Sequence, residues 1–212
     1  RIYTSEGAYW RYLDQIESGF DYHRIQAFEM GSFLADADED GGKKALVQPV
    51  LDYLFHRLSD RFDGRPTLLI IDEAWSFFLE QRFSAKLNDW LATSRKRNVS
   101  IVLATLRVGD VVSSPICGNL IEQTMSRIFL ANPKAENPTV REHYVGLGLN
   151  DQQIRIIQMM TPKRDYYYMS DAGNRRFELG LGLAALAFCG ASTPKDQALI
   201  DELYARHGTG TA

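Results

Sequence analysis

The stretch "TLLIIDEAW", Thr67 to Trp75, sets five uncharged residues ahead of two adjacent carboxylates. Four consecutive apolar residues, Leu68 to Ile71, read as a strand buried on both faces, and such strands belong to parallel sheets covered by helices. In doubly wound sheets, ligands bind outside the carboxyl ends of the strands. Asp72 and Glu73 stand at such an end. An aspartate there can hold a magnesium ion, directly or through its water shell, and the next glutamate can polarise a water for in-line attack on a phosphate. The same pair has a plainer reading, in which Asp72 caps the following "EAWSFFLEQ", since a helix N-terminus favours negative charge.

A nucleotide site also needs a phosphate cradle of the form G-x-x-x-x-G-K-[ST], whose glycines let backbone N–H groups face the phosphates. The one Gly-Lys pair is Gly42-Lys43. Lys44 follows it, Ala37 stands where the first glycine is required, and the acidic run of 35–42 before it would repel a triphosphate. These 212 residues contain no such loop.

The chain is 45% hydrophobic, enough for one sizeable core, and no linker or internal repeat divides it, so one α/β domain over 1–212 is expected. It begins at Arg1 without an initiator methionine, as a piece cut from a longer protein would. No apolar run reaches membrane-spanning length, and nothing resembles a signal peptide. A net charge of -3 gives no push toward nucleic acid or anionic membrane. Cys117 and Cys189 read as small core residues in a reducing compartment. His23, His56, His143 and His207 have no ligand spacing, so zinc is not expected.

Around the acidic strand the periodicity changes repeatedly. Helices are expected at about Ser5 to Glu17, at Lys43 to Phe62 (Val47, Val50, Leu51, Leu54, Leu58 and Phe62 as the stripe), and at Arg82 to Ser94. "RIQAFEM", Arg24 to Met30, reads as a short strand. Val99 to Leu106 and Ser126 to Asn132 read as apolar strands. A serine-capped helix with Pro115 at its first position is expected between them. Two short helices follow, capped by Asn137 and by Asn150 or Asp151. "DYYYMSD", "AGN" and "RRFELGLG" give a hairpin, and Thr193 to His207 a last helix.

Taken together, "PVLDYLFHRLSDRFDGRPTLLIIDEAW", "LNDWLATSRKRN", "VSIVLAT", "SRIFLANPKA" and "TPKRDYYYMSDAGNRRFELGLG" resemble the motor ATPase family of conjugation and type IV secretion systems, the TrbE and CagE type, across about residues 25 to 195. The resemblance implies a RecA-like P-loop NTPase sheet, mostly parallel and covered by helices on both faces, with an antiparallel hairpin near the C-terminus. It implies that this chain is the C-terminal portion of the motor domain, from the Walker B strand onward and without the P-loop. It further implies ATP and Mg²⁺ as cofactors, with Asp72 toward Mg²⁺ and Glu73 as water-activating base. Hexamers at the cytoplasmic face of the inner membrane are implied too, with other secretion ATPases and inner-membrane channel subunits as partners. The function implied is coupling of ATP hydrolysis to pilus assembly and to transfer of DNA or protein.

Against that family pattern, Leu106 stands where a glutamine usually follows Ala-Thr, and leucine can neither donate nor accept a hydrogen bond. Arg95, Lys96 and Arg97 complement the end of the preceding helix. In a ring, Arg95 reaches a neighbour's phosphates, with Arg127, Lys163 and Arg164 as further nucleotide-binding or trans-acting candidates. Two other functions fit the residues: a non-hydrolytic interaction module with a vestigial nucleotide site, and a related DNA-translocating ring, which calls for basic pore loops. In the family's fold the P-loop strand lies between those resembling "VSIVLATL" and "SRIFLAN". Without it, both strands would carry unpaired edges, and the chain would need the missing segment, a partner or a rearranged sheet to be stable.

Overall fold

The computed structural model describes residues 23–28, 43–74, 81–191 and 193–208. The expected helix at Ser5 to Glu17 and the acidic loop 35–42 lie outside them. Two compact units are present, one drawn from Arg1–Ile70 with Thr93–Val102, the other from Ile71–Ala92 with Leu103–Ala212.

The first unit is organised by the "DGRP" turn. Asp63 accepts from the Arg65 backbone amide at 3.2 Å and from its guanidinium at 2.7 Å, and Gly64 takes a φ of +98° that a side chain would resist. The guanidinium hydrogen bond holds the Asp63 carboxyl down at about 2. This turn ends helix α1 (Lys43–Asp60) and starts strand β1 (Thr67–Ile71). Pro49 lies inside helix α1, which gives up one internal hydrogen bond there. Leu51, Phe55, Phe62 and Val99 are buried. Phe55, one turn beyond Leu51, takes the inward place that the expected stripe assigned to Leu54 and Leu58, which are half-buried.

Helix α2 (Gln81–Ser94) buries Phe83, Leu87, Trp90 and Leu91, the face its spacing predicts. A 3₁₀ turn, Arg95–Arg97, and a left-handed Asn98 (φ 58°) then lead into strand β2 (Val99–Leu103). The Thr67 amide donates to Asn98 O at 3.1 Å, and the Ala104 amide to Ile71 O at 2.9 Å. Both residue numbers rise together along the pair, so β1 and β2 are parallel.

In the second unit, helices α3 (Val108–Val112) and α4 (Cys117–Gln123) precede strand β3 (Ser126–Leu130). Helices α5 (Pro138–Gly146) and α6 (Asp151–Met159) follow, then strands β4 (Asp165–Ser170) and β5 (Gly173–Glu178). Helices α7 (Leu183–Cys189) and α8 (Pro194–His207) close the order. Strands β3, β4 and β5 form an antiparallel sheet in that order, with Phe129 opposite Tyr167 and Tyr166 opposite Phe177. Ser170 pairs with Gly173 across the two-residue Asp171-Ala172 turn. Phe129, Tyr144, Ile154, Ile157 and Tyr167 make the centre of the core. Phe129 meets Tyr144 edge-on at 6.0 Å, and Tyr166 stacks on Phe177 at 5.5 Å. Asn150 closes a full capping box on α6 with Gln153, as Thr193 does on α8 with Asp196.

Several expectations change here. The apolar strands are not covered on both faces. Leu68 and Ile70 of β1, Val102 of β2, and Ile128 and Leu130 of β3 are exposed, so burial alternates along each strand. Among the described residues one strand pairing is parallel and two are antiparallel, so a mostly parallel sheet is not what they display. Strands β2 and β3 fall in separate sheets and are each an edge strand among the described residues. Residues 23–28 form no strand, and Ile25 is 90% exposed. An extended run gains its ladder only beside a partner. Helix α4 starts at Cys117 rather than Pro115, because Ser114 Oγ accepts the Ile116 amide at 3.3 Å in the turn before it. Helices α3 and α7 carry no side-chain caps and were not expected. Cys189, at the end of α7, is exposed rather than a core residue.

Burial sorts the expected consequences of truncation. Ile154→Ala, at a side chain 1% exposed, should lower stability by about 2–5 kcal/mol. Ile128→Ala on the bare face of β3 should stay within about 0.5 kcal/mol. Urea unfolding of the two variants beside the parent checks the contrast.

Candidate functional site

Strand β1 stops because its last two residues before Ala74 leave the ladder. Asp72 and Glu73 are both exposed, at the carboxyl end of the parallel pair. Asp72 Oδ1 accepts from the Glu73 amide at 2.9 Å, and Glu73 has a φ of +50°. On the far side Ala74 has no exposed surface (0%), and its amide donates to Ala104 O at 2.8 Å. The acids are thus fixed at both ends by the backbone of the neighbouring strand's exit.

With Oδ1 so engaged, the second Asp72 oxygen is the one suited to a hard cation. Among the described residues, no three His, Cys, Asp or Glu side chains gather to hold a metal. An ion such as Mg²⁺ keeps several waters and binds through one or two carboxylates plus substrate phosphates, ligands of the kind an exposed acid pair offers. Leu106, two residues past Ala104, is 80% exposed. Its neighbour Thr105 accepts the Arg107 amide through Oγ1 at 3.5 Å, a long contact.

The four cationic candidates separate. Arg95 lies in the exposed turn that leads into β2. Arg127 of β3 is half-buried, with one guanidinium nitrogen donating to Leu147 O at 2.8 Å and the other to Ile121 O at 2.9 Å. Those bonds satisfy carbonyls at the ends of α5 and α4, a tethering role that accounts for the residue locally. Lys163 is exposed in a left-handed conformation (φ 64°). Arg164 forks onto Glu178, with Nε 2.9 Å from Oε1 and Nη2 3.0 Å from Oε2. The structure thus joins Arg127 and Arg164 to partners other than the acid pair.

Sequence reading missed the pair beside Arg164. Asp165 is buried, accepts the Thr161 amide at 2.7 Å and the Arg176 guanidinium at 2.7 Å. Those bonds, the Thr161 amide first, hold its carboxyl below the usual aspartate range. The register signal was present, since a hairpin through Asp171-Ala172 puts Asp165 and Arg176 on neighbouring strands. An open cavity of about 260 Å³ also lies in the second unit, lined by Met125, Arg127, Asn150, Gln153 and Asp171 among others, and includes neither acid.

Comparison with known proteins fits this arrangement to a family. Conjugal transfer protein TrbE of Rhizobium radiobacter is 39% identical over 206 residues, 97% of this chain and 24% of that protein. A probable conjugal transfer protein TrbE of Sinorhizobium fredii is 38% identical, again over 97% of this chain and over 30% of its own length. Over nearly all of its length the chain is homologous to TrbE and VirB4 proteins of conjugation and type IV secretion. Type IV secretion system protein virB4 of Brucella abortus is a more distant relative, 28% identical over 207 residues. The solved VirB4 of Thermoanaerobacter pseudethanolicus shares the fold, with a TM-score of 0.55 at 16% identity over 71% of this chain and 41% of that one. No protein-family model matches the chain. It spans about a quarter of the length of the curated TrbE and VirB4 relatives it matches.

The depressed Asp165 carboxyl has a pH signature. Stability from this group is present above the ordinary aspartate pKa, about 3.9, and is lost as pH falls through its lower folded value. Asp165→Asn should lower stability at neutral pH and flatten the acid limb of a plot of urea midpoint against pH. Parallel acid limbs in parent and variant would remove Asp165 from that role.

Proposed function

We propose that this chain is the C-terminal part of the RecA-like motor of a conjugation or type IV secretion ATPase, with Asp72 and Glu73 as its Walker B pair. The observation that carries the reading is the exposed acid pair at the carboxyl end of a parallel strand, in a chain 39% identical to TrbE. When bound, Mg²⁺ would neutralise charge on the phosphates of ATP. Asp72 would hold that ion or one of its waters, and Glu73 would take the proton of the attacking water. Hydrolysis would drive pilus assembly and transfer of DNA or protein. The full-length protein would work as a homo-hexamer at the cytoplasmic face of the inner membrane, beside other secretion ATPases and channel subunits. No described helix is long and apolar enough to cross a membrane, and a peripheral location is compatible with that. Arg95 and Lys163, both exposed, suit a role across a subunit boundary better than Arg127 and Arg164, which are already hydrogen-bonded.

In the full-length protein, Glu73→Gln should lower ATP turnover by about 10²-fold or more while leaving Mg-ATP binding in place. Steady-state phosphate release and nucleotide titration measure the two. An unchanged rate would remove Glu73 from the chemistry.

One observation favours a second reading, an interaction module with a vestigial nucleotide site. Leu106 puts an exposed aliphatic side chain where the family usually offers an amide. Under that reading Leu106→Gln leaves turnover unchanged. Under the motor reading it raises turnover, and tight magnesium-dependent ATP binding by the full-length protein is retained.

A further inference from the structure

The β1–β2 ladder carries an offset at its last rung. In a parallel pair, the donors that one strand sends to its neighbour recur at every second residue. The Thr67 amide on Asn98 O and the Ala104 amide on Ile71 O fix the register. Continued by two residues, it would place the Glu73 amide on Ala104 O. The amide found there is that of Ala74, at 2.8 Å. One residue more than the ladder needs has been fitted between Ile71 and Ala74, which makes this a β-bulge. Glu73 is the extra residue. Its φ of +50° is left-handed, and its displaced amide is taken up by Asp72 Oδ1 at 2.9 Å.

The bulge solves a geometric problem. In an unbroken strand, adjacent side chains leave by opposite faces. Two consecutive acids could then not both serve one cation and one water. An extra residue lifts that alternation at the position where it obstructs. The conformation is unfavourable for a residue with a Cβ, so something must hold it. We infer that Asp72 is a positioning residue for Glu73: its Oδ1 replaces the strand partner that the Glu73 amide has lost, and so maintains the left-handed bulge that re-aims the Glu73 carboxylate. The use of that aim rests on the function proposed above; the bulge does not.

Two variant series on the full-length protein without nucleotide test this. Asp72→Asn keeps an acceptor oxygen and Asp72→Ala removes it. Residue-resolved hydrogen exchange of the Glu73 amide should stay within about twofold of the parent in Asp72→Asn and become about tenfold faster in Asp72→Ala, the equivalent of one hydrogen bond. Melting temperature should fall from Glu73→Gly through Glu73→Asn and Glu73→Gln to Glu73→Val, the order in which these residues tolerate a left-handed backbone. Equal exchange in both Asp72 variants, or a Val variant as stable as the Gly variant, would overturn the inference. Turnover separates the two claims. Loss of activity in Glu73→Gln with equal exchange in the Asp72 variants leaves the base assignment standing and ends the positioning role. The reverse pattern keeps the bulge and ends the base assignment.

Discussion

Each residue at the end of a strand has one backbone donor and one acceptor to satisfy, and the Ala104 backbone satisfies those of two residues on its neighbour, Ile71 and Ala74. That double attachment fixes the length of chain between them, and so fixes where Asp72 and Glu73 stand. A carboxylate on a loose loop would sample many positions, each losing the entropy that a pre-set geometry avoids. Here the acids sit on a closed segment two residues long, with a fully buried alanine behind them. The exposed acids are thus anchored on both flanks by backbone bonds, and Asp72 Oδ1 holds the Glu73 amide between them.

The second unit uses its charges differently. Arg127 ties the ends of two helices, Arg164 forks onto Glu178, Arg176 meets the buried Asp165, Arg141 pairs with Asp151, and Arg155 with Glu136. Most of these pairs are exposed and each contributes little alone. Asp165 differs, since a buried carboxylate without Arg176 and the Thr161 amide would be an uncompensated charge. It lies where β4 leaves the turn at Thr161 and meets β5. Losing it would loosen the sheet on which the core residues Phe129 and Tyr167 are carried. These five arginines read as scaffold, which leaves exposed cations such as Arg95 and Lys163 for the trans-acting role in the function proposed above.

What the sequence disclosed follows the reach of each interaction. Local signals were legible: the buried face of α2, the starts of α6 at Asn150 or Asp151 and of α8 near Thr193, the acid pair at the end of β1, and the hairpin, whose turn the spacing put at Ala172 to Asn174 and the structure puts at Asp171-Ala172. Each is written within a few residues. Coverage of a strand is not local. Leu68 and Ile70 are as apolar as Leu69 and Ile71, and composition alone reads all four as buried. Which face is packed depends on elements elsewhere in the chain or beyond it. The bulge was hidden for a related reason, because Ile71-Asp72-Glu73-Ala74 contains no glycine or asparagine to advertise a left-handed residue. Helices α3 and α7 lack caps, and so lacked the punctuation by which α6 and α8 could be found.

The bare apolar faces and the family relationship bear on one another. Leu68, Ile70, Val102, Ile128 and Leu130 are strand residues, and their exposure stands in contrast to the alternation of apolar and polar residues that a sheet facing water adopts. A solvated face would carry polar residues at those positions, threonine with no loss of strand propensity. Apolar strand faces of this kind are ones that further packing can cover. The matched relatives carry far more chain than these 212 residues, of which this segment is 24% in TrbE of Rhizobium radiobacter. Within such a protein, further strands and helices are available to cover both β2 and β3 edges and the faces beside them. Covering them would withdraw apolar area from water at about 25 cal/mol per Å² and satisfy edge N–H and C=O groups in the same step. Under the function proposed here, the rim that carries Asp72 and Glu73 would then be stiffened by the same packing that completes the sheet, so that folding of the larger protein and readiness of its acids would be one event.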